Sequence, residues 1–160
     1  MPSGALRRCT LFESLSADQL ARVAEIATPR AVRAGEVIFR EGAAGDEMFV
    51  VASGRVRISK EIPGAGEEAL TLLGPGSYFG EMAVIDDAPR SADAVAHGDC
   101  ALLVLRREDL DRVMFLDKDL ATALLWAFVR TLSSRLRETS DKLRSFFALA
   151  GPGGGGWTPK

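Results

Sequence analysis

The chain has few of the residues on which most catalytic and metal-binding sites depend. Its 160 residues include one histidine, His97, and two cysteines, Cys9 and Cys100. Protein metal sites use several His, Cys or carboxylate ligands, and hydrolytic triads need a histidine beside the nucleophile. Two cysteines cannot form a disulfide scaffold, and Cys100 fits a buried thiol in an apolar run. We therefore expect a protein that is not an enzyme and holds no metal or cofactor.

The sequence also lacks an excess of charge and any long hydrophobic run. Twenty Lys and Arg residues against 22 Asp and Glu leave a formal net charge of −2, which provides no electrostatic attraction to nucleic acid or to a membrane surface. The longest apolar runs, such as residues 101–105, are far shorter than the roughly 20 residues of a membrane span. The N-terminus lacks the apolar core of a secretion signal. These absences lead us to expect a cytoplasmic protein without nucleic-acid or membrane partners.

Three patterns follow one another along the chain. Residues 11–28 show helical spacing of apolar side chains, and Ser16 followed by Gln19 resembles a capping box. Residues 32–106 contain short β-branched and aromatic runs separated by turns with glycine, which is typical of a β sandwich or barrel. Residues 107–148 are again helical, and residues 151–160 form a glycine-rich tail that we expect to be flexible.

This order predicts a single domain over residues 1–150 with a mainly β fold and flanking α-helices. The predicted core is a β jelly roll, or double-stranded β-helix, of about eight strands. A short N-terminal helix precedes it and a long C-terminal helix follows it. We expect no second domain in residues 151–160, which form only the glycine-rich tail.

An apolar seam runs along the predicted C-terminal helix in alternating steps of four and three, the heptad pattern of a helix–helix interface. Its members are Leu125, Val129, Leu132, Leu136, Leu143 and Phe146, and Thr139 interrupts it. The seam predicts a homodimer, with packing against the chain's own barrel as the alternative. Leu124 and Phe128 lie on a neighbouring stripe that could face the barrel. The charged residues around Arg135 are interpreted as a solvated helical face.

The stretch GSYFGEMAVIDDAPRSA, residues 76–92, combines groups suited to a sugar phosphate. A helix start after Gly80 would present unpaired backbone N–H groups to an anion, and glycine allows a close approach. Arg90 offers a planar fork of donors for phosphate oxygens. Glu81 would repel an anion, so we expect it to accept a hydrogen bond from a sugar hydroxyl. The alternative is a buried Glu81–Arg90 ion pair without a ligand, which carries a large desolvation cost.

Two segments of the chain resemble the cyclic-nucleotide-binding domains. FGEMAVIDDAPRSA is similar to their phosphate-binding cassette, and GEVIFREGAAGDEMFVVASGRVRISK, residues 35–60, resembles the strands and turns upstream of it. The resemblance implies that Glu81 accepts from the ribose 2′-hydroxyl, that Arg90 pairs with the cyclic phosphate, and that the neighbouring backbone approaches the ligand. The implied ligand-binding residues of the cassette are Gly80, Glu81, Met82, Ala83, Arg90, Ser91 and Ala92.

A further segment, SRLRETSDKL, resembles the long C-terminal helix of the catabolite activator group. An adjacent Thr-Ser pair in that group contacts the adenine across a dimer interface, which implies this role for Thr139 and Ser140. Serine at position 91, directly after the arginine, also favours cAMP, with cGMP as the alternative ligand.

The chain ends in a glycine-rich tail where members of the catabolite activator group continue into a helix-turn-helix domain. We therefore expect a stand-alone cyclic-nucleotide sensor that signals through its C-terminal helix to an unknown downstream protein. The alternatives are a ligand-independent adaptor with a degenerate nucleotide pocket and a truncated DNA-binding activator.

Overall fold

The computed structural model of the chain describes residues 2–64 and 66–149. Helix α1 (Pro2–Arg7) and a 3-10 turn (Thr10–Phe12) precede helix α2 (Ala17–Ile26). The predicted capping box is present at the start of α2: the Ser16 hydroxyl accepts from the Gln19 backbone, and the Gln19 side chain accepts from the Ser16 backbone. Helix α1 was not predicted. The predicted glycine-rich tail, residues 151–160, lies outside the described residues.

Within the described ranges, eight strands form two antiparallel four-stranded sheets, as the jelly-roll prediction required. One sheet has the order β1-β8-β3-β6 and the other has the order β2-β7-β4-β5. The strands are β1 (Thr28–Val32), β2 (Val37–Phe39), β3 (Glu47–Ser53), β4 (Val56–Ile62), β5 (Gly66–Leu73), β6 (Tyr78–Phe79), β7 (Asp93–Ala96) and β8 (Cys100–Arg106).

The central strands of the first sheet, β3 and β8, are buried on both faces, which explains why they are almost continuously apolar. Successive side chains of a strand point to opposite faces. Met48 and Val50 of β3 pack with the helices, whereas Phe49 and Val51 pack between the two sheets. The thiol of Cys100 is buried, as predicted, and donates to the Arg55 carbonyl oxygen at 3.0 Å.

Three helices complete the fold. Helix α3 (Met82–Ile85) lies between β6 and β7, and β8 leads into α4 (Arg107–Leu116) and α5 (Lys118–Leu149). The carboxylate of Asp117 accepts from the Leu120 backbone at 2.9 Å and so caps the start of α5. The structure describes no helix with the length and apolar character of a membrane-spanning segment among residues 2–64 and 66–149.

The buried apolar side chains of α5 all lie in its first half. Leu120, Leu124 and Phe128 are buried, as expected for the stripe facing the barrel, and residues 134–148 are all exposed. The predicted seam is largely uncovered: Leu132 is half-buried, whereas Leu125, Val129, Leu136, Leu143 and Phe146 are between 53% and 69% exposed. Packing of this seam against the chain's own barrel is therefore wrong. The homodimer remains a prediction.

Candidate functional site

The stretch between β6 and β7 lines a cavity of about 90 Å³ together with side chains from β2, β4 and α5. Its walls include every cassette residue predicted from the sequence, which the structure thus brings together: Gly80, Glu81, Met82, Ala83, Arg90, Ser91 and Ala92. The remaining wall residues are Phe39, Ile58 and Arg135. Thr139 and Ser140 do not line this cavity.

Arg90 is a buried cation on the cavity wall. Only 6% of the residue is exposed, and its guanidinium lies over the Phe39 ring with Cζ 4.2 Å from the ring centroid. Nη1 donates to the Gly80 carbonyl oxygen at 2.9 Å, and Nε has no acceptor. Burial lowers the pKa of Arg90, while the nearby carboxylates of Glu47 and Asp46 raise it. None of the salt bridges in the described parts of the chain includes Arg90, so its charge is available to a bound anion.

The loop between β2 and β3 holds the backbone of Arg90 through two hydrogen bonds. The Gly42 N–H donates to the Arg90 carbonyl oxygen at 2.8 Å, and the Arg90 N–H donates to the Ala43 carbonyl oxygen at 2.9 Å. Gly45 lies directly against the side chain, because a Cβ atom at this position would come 2.3 Å from Arg90 Nε. The position of the guanidinium is therefore set by a loop that is remote in sequence.

Gly80 and the start of α3 form another part of the cavity wall. Gly80 has a φ of 76°, a left-handed conformation that favours glycine, and a Cβ atom there would lie 2.7 Å from Arg90 Nη1. Met82 and Ala83 begin α3 and line the cavity. The first N–H groups of a helix have no intrahelical acceptor. The cavity therefore combines a guanidinium with the donor end of a short helix.

Glu81 is 2% exposed and forms an ion pair with Arg135 of α5. Arg135 Nη2 also approaches the Tyr78 carbonyl oxygen at 3.4 Å. Burial raises the pKa of Glu81, and the Arg135 guanidinium opposes that rise. The sequence-based alternative of a Glu81–Arg90 ion pair is wrong, since the ionic partner of Glu81 comes from the C-terminal helix.

Arg135 is the charged cavity residue that sequence analysis missed, and Phe39 and Ile58 are the apolar ones. The assignment of Arg135 to a solvated helical face is wrong, because its guanidinium reaches across to Glu81. The available signal was its position one helical turn before Thr139, which places the two residues on one face. The Thr139 hydroxyl donates to the Arg135 carbonyl oxygen at 2.8 Å and is exposed, as is Ser140. The predicted role of Thr139 and Ser140 requires a second chain and stays a prediction.

The described residues contain no group of three or more His, Cys, Asp or Glu side chains that could hold a metal ion. The polar groups of the cavity are instead an arginine for an anion, backbone at a helix start and one carboxylate that can accept from a hydroxyl. This combination suits a phosphorylated sugar.

Comparisons with known proteins agree with this geometry. Residues 29–117 match the family model described as cyclic nucleotide-binding domain. The chain is 41% identical over 99 residues to the cyclic AMP receptor protein of Thermus thermophilus, covering 62% of this chain and 46% of the relative. It is 28% identical over 148 residues to a CRP-like cAMP-activated global transcriptional regulator of Mycobacterium tuberculosis, covering 92% of this chain and 64% of the relative.

A solved structure shows the same fold over most of the chain. The N-terminal domain of a transcriptional regulator from Streptomyces coelicolor A3(2) superposes with a TM-score of 0.75 at 34% identity, covering 87% of this chain and 94% of that domain. The chain thus spans less than two thirds of the two curated relatives but nearly all of this isolated domain. Its fold, its cassette residues and the matching family model together show that the chain belongs to the family of cyclic nucleotide-binding domains.

Proposed function

We propose that the chain is a regulatory sensor that binds cAMP in the cavity beside Arg90 and signals through α5. The observation that carries this proposal is the buried guanidinium of Arg90, which faces the same cavity as Glu81 and the start of α3. A buried charge is costly unless it is paired. A cyclic phosphate supplies the missing negative charge in a form that matches the donor geometry of arginine.

The groups around the cavity suggest one orientation of the ligand. The cyclic phosphate would lie between the Arg90 guanidinium and the backbone of Met82 and Ala83, with Ser91 and Ala92 along the same turn. The ribose would lie over Gly80, where the absence of a side chain permits a close approach, and its 2′-hydroxyl would donate to Glu81. No cofactor or metal takes part in this binding mode.

The preference for cAMP over cGMP is part of the proposal. It is supported by Ser91 directly after the arginine and by the names of the two curated relatives, which are a cyclic AMP receptor protein and a cAMP-activated regulator. Thr139 and Ser140 would contact the base from a second copy of the chain. This arrangement requires the homodimer that the exposed seam of α5 predicts.

The Glu81–Arg135 ion pair gives the bound ligand a route to α5. Glu81 is the buried carboxylate that forms an ion pair with Arg135 of α5. A ribose hydroxyl that donates to Glu81 would change the hydrogen bonding of this carboxylate. Occupancy would then shift the population of α5 positions, because the ligand has different affinities for arrangements with different Arg135 contacts. We propose that the output passes to another protein in the cytoplasm, and that the domain itself catalyses no reaction.

Titration calorimetry with cAMP, cGMP and AMP tests the proposal. The Arg90→Ala variant should weaken cAMP binding by about 2 to 5 kcal/mol, since a phosphate would lose its buried charge partner. This corresponds to roughly 30- to 4,000-fold in Kd. Arg137→Ala, at an exposed position of α5, is the matched control and should bind like the wild type. Equal affinities of wild type and Arg90→Ala would refute the assignment of Arg90.

The second candidate is a ligand-independent adaptor that uses the fold and the α5 seam to bind a partner. The small volume of the cavity, about 90 Å³, favours this candidate, because ligand pockets commonly measure about 300–1,000 Å³. A thermal-shift series with cyclic mononucleotides separates the two. A sensor must show a rise in Tm with ligand concentration, since the ligand binds the native state selectively, whereas an adaptor shows none.

A further inference from the structure

Arg107, the first residue of α4, contacts the cassette with its side chain. Its Nη2 donates to the carbonyl oxygen of Ala83, and its Nη1 pairs with the carboxylate of Asp87. The side chain is 22% exposed. The backbone N–H of the same residue donates to the Asp46 carbonyl oxygen at 2.8 Å. Arg107 therefore joins the cassette, the start of β3 and the beginning of the C-terminal helices.

The segment that Arg107 holds has little means of fixing its own conformation. Helix α3 has four residues, and a helix that short is not stable alone and leaves its final carbonyl groups without intrahelical donors. The turn after it includes Asp87 at a φ of 58°, a left-handed conformation that non-glycine residues rarely adopt. A guanidinium can bind a carbonyl and a carboxylate at the same time, which a lysine ammonium on its flexible stem does less well.

Stability alone does not account for an arginine at this position. The Nε of Arg107 is buried and has no acceptor among the described residues. A buried donor without a partner is unfavourable, and apolar residues often stabilise such positions as well as ionic groups do. The two acceptors that the guanidinium does reach, the Ala83 carbonyl and the Asp87 carboxylate, both belong to the cassette.

We propose that Arg107 is a positioning residue of the ligand site. By binding Ala83 and Asp87 it holds the start of α3 on the wall of the cavity that Arg90 also lines. Arg107 is also the first residue of α4, which leads into α5 and Arg135. It therefore connects the start of α3 to the C-terminal helices. The inference rests on the proposed function, since it concerns the same phosphate site.

The test compares Arg107→Lys with Arg112→Lys, a matched control on the same helix whose guanidinium pairs only with Glu108 and Asp109 of its own helix. Calorimetry would measure the Kd of cAMP and of its Sp and Rp phosphorothioate analogues. Arg107→Lys should weaken cAMP binding about tenfold, the equivalent of one charge-assisted hydrogen bond, and Arg112→Lys should leave it unchanged. The Sp to Rp affinity ratio should change in Arg107→Lys, because only one side of the phosphate site is displaced.

An unchanged Kd in Arg107→Lys would overturn the proposal, and so would an equal loss for both phosphorothioates, which is what a general loss of structure produces. If Arg107→Lys does not fold, Asp87→Asn decides, since this carboxylate is 81% exposed and its removal leaves the Ala83 contact in place. An altered Sp to Rp ratio in Asp87→Asn supports the proposal, and an unaltered ratio overturns it. Failure of the wild type to bind cAMP would instead refute the proposed function itself.

Discussion

Substitution of Gly45 by alanine should separate ligand binding from stability. The new Cβ would lie 2.3 Å from Nε, 2.4 Å from Nη2 and 2.5 Å from Cζ of Arg90. Non-bonded heavy atoms are most stable about 3.5–4.0 Å apart, so the guanidinium must move by about 1 Å or more. The end of an arginine side chain can make this movement without disturbing the backbone, but it would then leave the phosphate site.

The stability and the affinity for cAMP are expected to change for different reasons. Gly45 is not among the glycines with positive φ, so alanine adds no backbone strain and stabilises by about 0.4–1 kcal/mol through the unfolded state. Loss of the Arg90–Gly80 hydrogen bond, whose donor is charged, costs about 1.5–3 kcal/mol, so the free energy of unfolding should fall by a net amount of about 0.5–2.6 kcal/mol. Loss of a hydrogen bond to a charged phosphate costs about 1.5–3 kcal/mol, or roughly 10- to 150-fold in Kd for cAMP.

Urea denaturation and calorimetric titration of the same preparation would measure both quantities. Gly35→Ala is the control, because Gly35 has a φ of +79° and a Cβ there meets nothing within 4 Å. That variant should lose about 1–2 kcal/mol of stability through left-handed strain and keep the affinity of the wild type. If Gly45→Ala bound cAMP as tightly as the wild type, the packing of Gly45 on Arg90 would have no role in ligand binding.

Three further perturbations test the electrostatics and the assembly. Burial raises the pKa of Glu81 and Arg135 opposes the rise, so the stability contributed by protonated Glu81 is lost as pH rises through its folded pKa. Arg135→Gln should therefore enlarge the fall in the unfolding free energy above about pH 4 in urea titrations. The hydrogen bond from the Glu41 backbone, with the Arg40 guanidinium, lowers the pKa of Asp93. The wild type should therefore lose stability as pH falls below about 4, and Asp93→Asn should abolish the part of this loss that comes from Asp93. Leu136→Glu, at a seam position 69% exposed in the single chain, should convert a homodimer to a monomer in sedimentation velocity, whereas an unchanged sedimentation coefficient would exclude the seam as the interface.

The jelly roll and the cassette were predictable because their signals are local. Glycine-bearing turns separate the strands, and the spacing of Ser16 and Gln19 identifies the start of α2. Helix α1 has no such signal, since six residues that include Gly4 are too few for an apolar period. It forms because Leu6 is fully buried in the helix-facing core, and this tertiary contact is not visible in the spacing of residues.

The electrostatic partners in the site were not predictable for a related reason. Glu81 and Arg135 are 54 positions apart, and a charged residue within a charge-rich helix has the same sequence pattern whether it faces solvent or a buried carboxylate. Arg107 and Asp87 present the same difficulty, because their contact depends on how α4 leaves β8. The sequence indicated residues that line the cavity, and the path of the helices determines which charged residues there are paired.

Under the proposed route of signalling, the uncovered second half of α5 acts as a lever whose pivot is the Glu81–Arg135 contact. From Arg135 to the end of the helix at Leu149 the axis extends about 21 Å at 1.5 Å per residue. A tilt of about 10° at the pivot would displace the tip by about 4 Å over that length. The exchange of one ion pair would thus displace the end of the helix by most of a helical turn, at a surface far from the cavity.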